Sequence, residues 1–198
     1  MSAVLTPTLP LPAAGLPPFR WTAAAFNDLG DRGIFAGRRP ILVDGVILEQ
    51  GPMNPPHADA LELVDTAIRA AFGPGWRFRN QSPFDVGTYT NPMPDIAVVA
   101  SGPRGVHPAT AVLVVEIADT TLFTDTTTKA ELYATAGVPD YWVLDLTGRR
   151  LLVFRDPEPL PQGLGATAYR THASHGPEAS VAPLAAPDRP IRVAELLP

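Results

Sequence analysis

Two short, strongly apolar segments constrain the fold of this chain more than any other feature. Residues 95–100 and 111–117 are too apolar for strands that have one face in water. Strands of this kind lie at the centre of a sheet whose two faces are both covered. A helical pattern over residues 125–136 separates the second segment from a third, at residues 141–145, so we expect a parallel strand pair joined by a helix.

The rest of the chain is predicted to form short elements between turns, as its 24 prolines and 16 glycines indicate. A helix over residues 57–72 follows from apolar side chains at helical spacing, and Gly73 ends it. Asp44 and Gly45 predict the turn of a hairpin over residues 40–50. The remaining predictions are a short helix at 22–29, extended segments at 76–81 and 83–86, a strand at 151–154, and peripheral strands at 168–171 and 191–193.

Length and composition predict a single domain. A chain of 198 residues with 45% hydrophobic content can bury one substantial core. Residues 1–18 carry five prolines and no hydrophobic period, so we expect a flexible arm there and one domain over residues 19–198. No segment approaches the roughly 18 apolar residues of a membrane span, and no signal peptide is recognisable, which predicts a cytoplasmic protein with no membrane partner.

Charge and cysteine content limit the possible chemistry. The net charge of -5 argues against a broad basic surface for nucleic acid, so any DNA must bind locally or with the help of a cation. The chain has no cysteine, which excludes disulfides, thiolate zinc sites and cysteine nucleophiles. Any metal must therefore be held by oxygen or histidine ligands.

Two carboxylates are candidates for such a metal site. Asp95 begins one predicted central strand, and Glu116 lies toward the end of the next. If these strands are neighbours, the two side chains converge at one edge of the sheet. Mg²⁺ is commonly held by one or two carboxylates together with water and substrate phosphate. Glu49, at the end of the hairpin, is a further candidate as a ligand or as the base that positions water.

Lys129 is the only lysine in the chain, against 14 arginines. An ammonium is a compact charge whose pKa can be tuned, whereas a guanidinium is a broad fork that stays protonated. A lysine near carboxylates therefore indicates a catalytic site as one interpretation of this position. The alternative is an ion pair with Asp125, one helical turn earlier, and the spacing alone favours that alternative.

These residues occur in an order that resembles the PD-(D/E)XK nuclease superfamily and, within it, the Uma-type family of restriction endonucleases. The resemblance covers roughly residues 22–154 and rests on these segments: Asp44-Gly45-Val46-Ile47-Leu48-Glu49, His57, Pro94-Asp95-Ile96-Ala97-Val98-Val99, Val114-Val115-Glu116-Ile117-Ala118-Asp119-Thr120-Thr121, Asp125, Lys129, Tyr133, and Gly137-Val138-Pro139-Asp140-Tyr141-Trp142-Val143-Leu144-Asp145. It implies an α/β fold of the restriction-endonuclease type, with a mixed central sheet flanked by helices and added β-hairpins.

The resemblance also implies chemistry. Asp95 and Glu116 would be metal ligands for Mg²⁺ or Mn²⁺, Glu49 would be an acidic site residue, and the reaction would be cleavage of DNA phosphodiester bonds. The superfamily places a lysine two residues after the glutamate, but Ala118 stands there. The resemblance includes a lysine at position 129 instead, which favours a site role for Lys129 over the pair with Asp125.

Other expectations concern partners and rival functions. Cutting both strands of a duplex calls for two sites, so we expect a homodimer. The rival hypothesis is a catalytically inactive binding or scaffold domain that keeps the nuclease-like fold. The sequence does not distinguish DNA from RNA as the substrate. The arginines expected to bring phosphate close are Arg77, Arg79 and Arg104.

Several smaller expectations follow. His57 either contacts the site or faces solvent at the start of its helix, and Gln81 either approaches the site or is solvated. The three aromatic residues Tyr133, Tyr141 and Trp142 are expected to pack in the core rather than stack on bases. The two histidines of a polar segment, His172 and His175, are not predicted to bind a metal.

Overall fold

The computed structural model describes residues 17–51, 53–102, 105–160 and 167–198. The predicted N-terminal arm falls almost wholly outside these residues. The elements along the chain are α1 (Ala23–Asp31), β1 (Pro40–Val43), β2 (Val46–Glu49), α2 (Pro55–Phe72), β3 (Trp76–Asn80), β4 (Ile96–Ala100), β5 (Leu113–Ala118), α3 (Leu122–Thr126), α4 (Thr128–Thr135), β6 (Asp140–Asp145), β7 (Arg150–Pro159), β8 (Thr167–His175), β9 (Ser180–Val181), β10 (Ile191–Arg192) and a final 3-10 helix (Val193–Leu196).

A mixed sheet of six strands forms the centre of the protein, in the order β3-β4-β5-β6-β7-β8. The strands β5 and β6 are parallel, and every other neighbouring pair in this sheet is antiparallel. The predicted fold class is therefore confirmed, including the parallel pair on either side of a helical connection. The hairpin of β1 and β2 and the pair of β9 and β10 form two small additional sheets.

Both faces of this sheet are covered, as the apolar segments predicted. On one face, α2 packs four buried side chains against the strands: Ala60, Val64, Ile68 and Phe72. On the other face, α4 contributes three: Ala130, Tyr133 and Ala134. Alternation along the strands sends Trp142 to the α2 face and Tyr141 to the α4 face, and both are fully buried. These two residues and Tyr133 thus lie in the core as expected.

The prediction of one helix over residues 125–136 is wrong, because two helices occupy this region. The short α3 begins at Leu122, before the predicted start. The helical backbone is interrupted at Thr127, whose φ and ψ are -120° and -83°, and this residue forms the break between α3 and α4. The hydroxyl of Thr126 donates to the Leu122 carbonyl at 2.7 Å, and that of Thr127 donates to the Phe123 carbonyl at 2.6 Å. Such side-chain bonds compete with the helical backbone pattern and interrupt it.

Other boundaries differ in smaller ways. The prediction that the strand near residues 168–171 is peripheral is wrong, because β8 is nine residues long and forms one edge of the central sheet. Helix α2 starts at Pro55 rather than at residue 57, and the Asn54 side chain accepts a hydrogen bond from the His57 N–H at 3.0 Å. In the chain as described, no helix is long and apolar enough to span a membrane.

The hairpin turn has the predicted residues and geometry. Asp44 and Gly45 both have positive φ, at 49° and 81°. A Cβ on Gly45 would lie 2.7 Å from the Cβ of Arg20, so a larger residue would clash there as well as strain the backbone. The turn therefore also holds the segment that precedes α1 against the hairpin.

A buried carboxylate secures the C-terminal region to the central sheet. Asp140 has no solvent exposure, and its Oδ1 accepts from the Trp142 indole N–H at 2.8 Å and from Arg155 Nε at 2.9 Å. Its Oδ2 accepts from the backbone N–H of Leu184 at 2.8 Å. These donors come from two strands and a loop, so this one side chain joins three parts of the fold.

We therefore predict that Asp140→Ala lowers the free energy of unfolding by about 3 kcal/mol, because it removes a fully buried carboxylate and leaves the half-buried Arg155 guanidinium, the Trp142 indole N–H and the Leu184 N–H without their acceptor. Urea unfolding checks this. The control is Glu178→Ala, which breaks an ion pair between side chains that are 84% and 50% exposed and should cost less than about 1 kcal/mol. Equal losses in the two variants would show that Asp140 does not join these parts.

Candidate active site

The strand register brings Asp95 and Glu116 together. In the antiparallel pair of β4 and β5, Ile96 lies opposite Val115, and continuing this register by one residue sets Asp95 opposite Glu116. Strand alternation turns both side chains to the α4 face. Asp95 also reaches across to β5, because its Oδ2 accepts a hydrogen bond from the Ile117 N–H at 2.9 Å. The predicted convergence of these two carboxylates is therefore present.

The two carboxylates line an open pocket of about 290 Å³. The hairpin, the start of α2, the end of β5 and the two helices α3 and α4 all contribute to its wall. Its charged and histidine side chains are Arg39, Glu49, His57, Asp95, Glu116, Asp119, Asp125 and Lys129. One opening thus gives access to all four candidate site residues.

Asp95 is held by two side chains from outside β5. His57 Nε2 lies 3.1 Å from its Oδ1, and Gln81 Nε2 donates to the same oxygen at 3.2 Å. Burial alone would raise the pKa of Asp95, but the hydrogen bond and charge of His57 and the Ile117 N–H together lower it below its usual value. Asp95 is therefore an ionised carboxylate with two neighbours that fix its orientation.

Gln81 reaches Asp95 from a strained backbone. Its φ is 44°, in the left-handed region that a non-glycine residue seldom adopts. Its backbone N–H donates to the Asp95 carbonyl at 3.0 Å while its side chain donates to the Asp95 carboxylate. Of the two expectations for Gln81, the structure shows the one in which it approaches the site.

Glu116 is almost completely buried, with 1% of its surface exposed. The Tyr133 hydroxyl donates to Oε1 at 2.7 Å, and Lys129 Nζ lies 2.9 Å from Oε2. Burial raises the pKa of Glu116 to about 8; the charge of Lys129 opposes that rise, whereas Asp95 and Asp125 add to it. A buried acidic group with three nearby charges is typical of functional sites rather than of plain cores.

The Lys129 ammonium contacts two carboxylates at once. It lies 2.9 Å from Glu116 Oε2 and 2.9 Å from Asp125 Oδ1, with 15% of its side chain exposed. Burial alone would lower its pKa, but Glu116 and Asp125 together raise it, so the ammonium remains charged. The two alternatives left by the sequence, a site residue and a pair with Asp125, thus coexist as contacts.

Glu49 lies at the rim of the pocket. Its side chain is 52% exposed and forms an ion pair with Arg38 at 3.3 Å. It therefore lines the same opening as Asp95 and Glu116, but it is solvated and paired, unlike the two buried carboxylates. Its exposure suits contact with substrate or water rather than a buried ligand position.

Two of the three arginines named from the sequence lie elsewhere. Arg77 and Arg79 line a separate pocket, where Arg77 donates to the Gly102 carbonyl at 3.3 Å and Arg79 lies 3.3 Å from His107 Nδ1. Arg104 falls outside the described residues. Of the remaining histidines, His172 stacks on the Phe154 ring with a centroid distance of 6.1 Å.

Sequence reasoning missed three residues of the site. Asp125 and Tyr133 were named among the residues of the resemblance but given no site role, being expected as the partner of Lys129 and as a core residue, and Asn54 was not considered. Asn54 Nδ2 donates to Asp119 Oδ2 at 2.5 Å and so joins the start of α2 to the end of β5. A signal was present for two of the three, because positions 125, 129 and 133 repeat at a spacing of four and fall on one face of the helix predicted over residues 125–136.

The donor set is suited to a hard divalent cation with few protein ligands. Within the described part of the chain, no three histidine or acidic side chains form a ready-made metal cluster. Asp95 and Glu116 nevertheless supply two carboxylates side by side at an open pocket. Asp95 Oδ1 already contacts both His57 and Gln81, whereas Asp95 Oδ2 and the two Glu116 oxygens have one contact each and so keep a lone pair. Mg²⁺ is commonly held in this way, with water filling the other positions.

Comparisons with known proteins agree with this geometry. The structure is similar to that of a protein from Anabaena variabilis ATCC 29413 whose crystal structure is described as a putative nuclease belonging to DUF820. The TM-score is 0.62 at 18% sequence identity, over 79% of this chain and 88% of the other. No curated protein matches. The family model described as Uma2, "Putative restriction endonuclease", matches residues 26–187. The chain therefore belongs to the Uma2 family of putative restriction endonucleases.

Proposed function

We propose that this protein is an endonuclease that depends on Mg²⁺ or Mn²⁺ and hydrolyses phosphodiester bonds in DNA. The observation that carries this proposal is the buried ammonium of Lys129, 2.9 Å from the Glu116 carboxylate, at a pocket that Asp95 also lines. Membership of the nuclease-like family supports the reaction class. The proposal assigns the metal to Asp95 and Glu116 and the cationic role to Lys129.

The two proposed metal ligands are held before any cation arrives. The Ile117 N–H and Gln81 fix Asp95, while Tyr133 fixes one oxygen of Glu116. A bound divalent cation would offset the charge of a phosphate and lower the pKa of an attacking water. Preorganised ligands reduce the rearrangement that binding requires. In this proposal the metal would be held by the neighbouring residues Asp95, just before β4, and Glu116, in β5.

Lys129 would act on the water or the phosphate. An ammonium beside Glu116 can orient an attacking water through a hydrogen bond, or stabilise the charge that builds up on phosphate oxygen. Ala118, where the superfamily carries its lysine, is fully buried in the core on the α4 face. Helix α4 therefore supplies the ammonium that the strand lacks. Glu49, at the rim, would assist by positioning water from the solvent side.

Substrate and assembly are further parts of the proposal. DNA is the substrate class that the family description supports, and the net charge of -5 means that binding must be local and cation-assisted. A cytoplasmic homodimer with two such sites would cut both strands. The rival hypothesis, an inactive scaffold with this fold, differs in requiring no divalent ion at the two carboxylates.

We predict that the wild-type chain nicks supercoiled plasmid and cuts single-stranded DNA with Mg²⁺ or Mn²⁺, and that a chelator abolishes both reactions. Asp95→Ala and Lys129→Ala should each reduce the rate by about 100-fold or more, in the range for lost general acid–base or electrostatic groups. Gel assays of product formation over time check this. Asp28→Asn, which removes a surface i,i+4 ion pair, is the control and should cut at the wild-type rate.

Two other outcomes would change the assignment. Cutting that survives Asp95→Ala would show that the metal lies elsewhere, and cutting that survives Lys129→Ala would return Lys129 to a purely structural role. Activity on an RNA oligonucleotide of matched sequence, with none on DNA, would replace DNA as the substrate. Failure to cut under every metal condition, together with failure to bind Mn²⁺, would favour the scaffold.

We also predict that Mn²⁺ binding can be measured by calorimetry without any substrate. Asp95→Asn and Glu116→Gln each remove one anionic ligand and should weaken binding about tenfold or more, because a hard cation prefers charged oxygen. Glu49→Gln at the rim should have a smaller effect. Equal affinities in the wild type and in both ligand variants would exclude this site as the metal site.

A further inference from the structure

Asp125 is a buried acid beside the site, and the proposed reaction gives it no role. It is 1% exposed and belongs to α3, whereas Lys129 belongs to α4, on the other side of the break at Thr127. Its Oδ1 lies 2.9 Å from the Lys129 ammonium, and its Oδ2 accepts a hydrogen bond from the Thr121 hydroxyl at 2.5 Å. Both oxygens are thus committed to fixed neighbours.

The backbone of Asp125 is held as firmly as its side chain. The buried hydroxyl of Tyr141, from the central strand β6, donates to the Asp125 carbonyl at 2.8 Å. The Asp125 N–H donates to the Thr121 carbonyl at 3.0 Å. The sheet therefore fixes the position of this carboxylate, and the carboxylate in turn fixes the ammonium.

The opposite neighbour of Lys129 is one of the proposed metal ligands. Glu116 receives the Tyr133 hydroxyl at Oε1 and contacts Lys129 through Oε2, so a cation that binds Oε2 shares that oxygen with the ammonium. An ammonium with Glu116 as its sole partner would compete with the cation for that oxygen. A second anionic partner allows the ammonium to stay in place when Glu116 binds elsewhere.

We propose that Asp125 is a positioning residue for Lys129, which retains the ammonium at the site and leaves Glu116 able to bind the divalent cation. This inference rests on the function proposed above. Asp125 touches neither cation nor substrate in this scheme. Asp125 acts through Lys129. If it instead attracted the divalent cation directly by its charge, its effect would not depend on Lys129.

A double-mutant cycle tests this dependence with Mn²⁺ calorimetry on the full chain. Asp125→Asn keeps the shape of the side chain and an acceptor for Thr121 while removing the charge. In the wild-type background it should weaken Mn²⁺ binding about 10- to 100-fold, as for other residues that orient a metal ligand's neighbours. In the Lys129→Met background, where no ammonium competes for Glu116, the same substitution should have little effect.

The outcomes separate the inference from the function beneath it. If Asp125→Asn weakens Mn²⁺ binding equally in the two backgrounds, Asp125 acts through its charge alone. If it does not weaken Mn²⁺ binding in the wild-type background, Asp125 has no effect on the site. Either result overturns the inference. If the wild-type chain cuts DNA while either of these results is obtained, the inference fails and the proposed function stands. A wild-type chain that neither binds Mn²⁺ nor cuts overturns both.

Two further variants keep the test conclusive. If Asp125→Asn fails to fold, as judged by thermal unfolding, Thr121→Val removes the donor to Asp125 Oδ2 and should weaken Mn²⁺ binding in the same Lys129-dependent way, to a smaller extent. Asp28→Asn removes an i,i+4 partner from Arg32 at the surface and should leave Mn²⁺ affinity unchanged. A loss in this control equal to that of Asp125→Asn would overturn the inference.

Discussion

The structure depends on a carboxylate placed in the middle of a buried strand. Every residue of β5 is buried, yet Glu116 interrupts its apolar sequence. An ionised carboxylate in such surroundings is costly unless it is paired and hydrogen-bonded. Lys129 and Tyr133 supply those contacts from one face of α4. The position of α4 on the sheet is therefore tied to the polar contacts of one strand carboxyl group as well as to apolar packing.

Because buried Glu116 needs these contacts, the residues of the candidate site also stabilise the core. Removing one partner of a buried ion pair leaves an uncompensated charge, which costs about 3 to 5 kcal/mol, whereas a second anion near the ammonium limits that cost. Asp125 is such an anion, and Tyr141 links its backbone to β6. The result is a polar chain through the α4 layer that runs from β6 through Asp125 and Lys129 to Glu116. A polar network inside a core stabilises the fold when each of its donors and acceptors has a partner, and it destabilises the fold when one of them lacks a partner.

The sequence predicted the parts of this arrangement that follow from periodicity. Asp95 stands at the start of one apolar segment and Glu116 toward the end of the next, so neighbouring antiparallel strands bring the two acids together. The alternation of strand side chains then turns both to one face. The break at Thr127 was not predicted, because bonds from threonine hydroxyls to backbone carbonyls leave no hydrophobic pattern. For Gln81 the sequence left two alternatives open, the site and solvent, since its contact with Asp95 depends on one positive φ angle in a loop.

Packing on the α4 face is consistent with the proposed site role of a lysine on the helix rather than on the strand. A strand lysine two residues after the glutamate would point to the same face, into the volume that Ala118 fills within the core. From α4, the Lys129 ammonium reaches Glu116, and it also contacts Asp125 in the preceding helix. The site keeps one cation beside two candidate metal ligands, but its position now depends on the α3–α4 junction. Substitutions at that junction should therefore affect the site without touching Asp95 or Glu116.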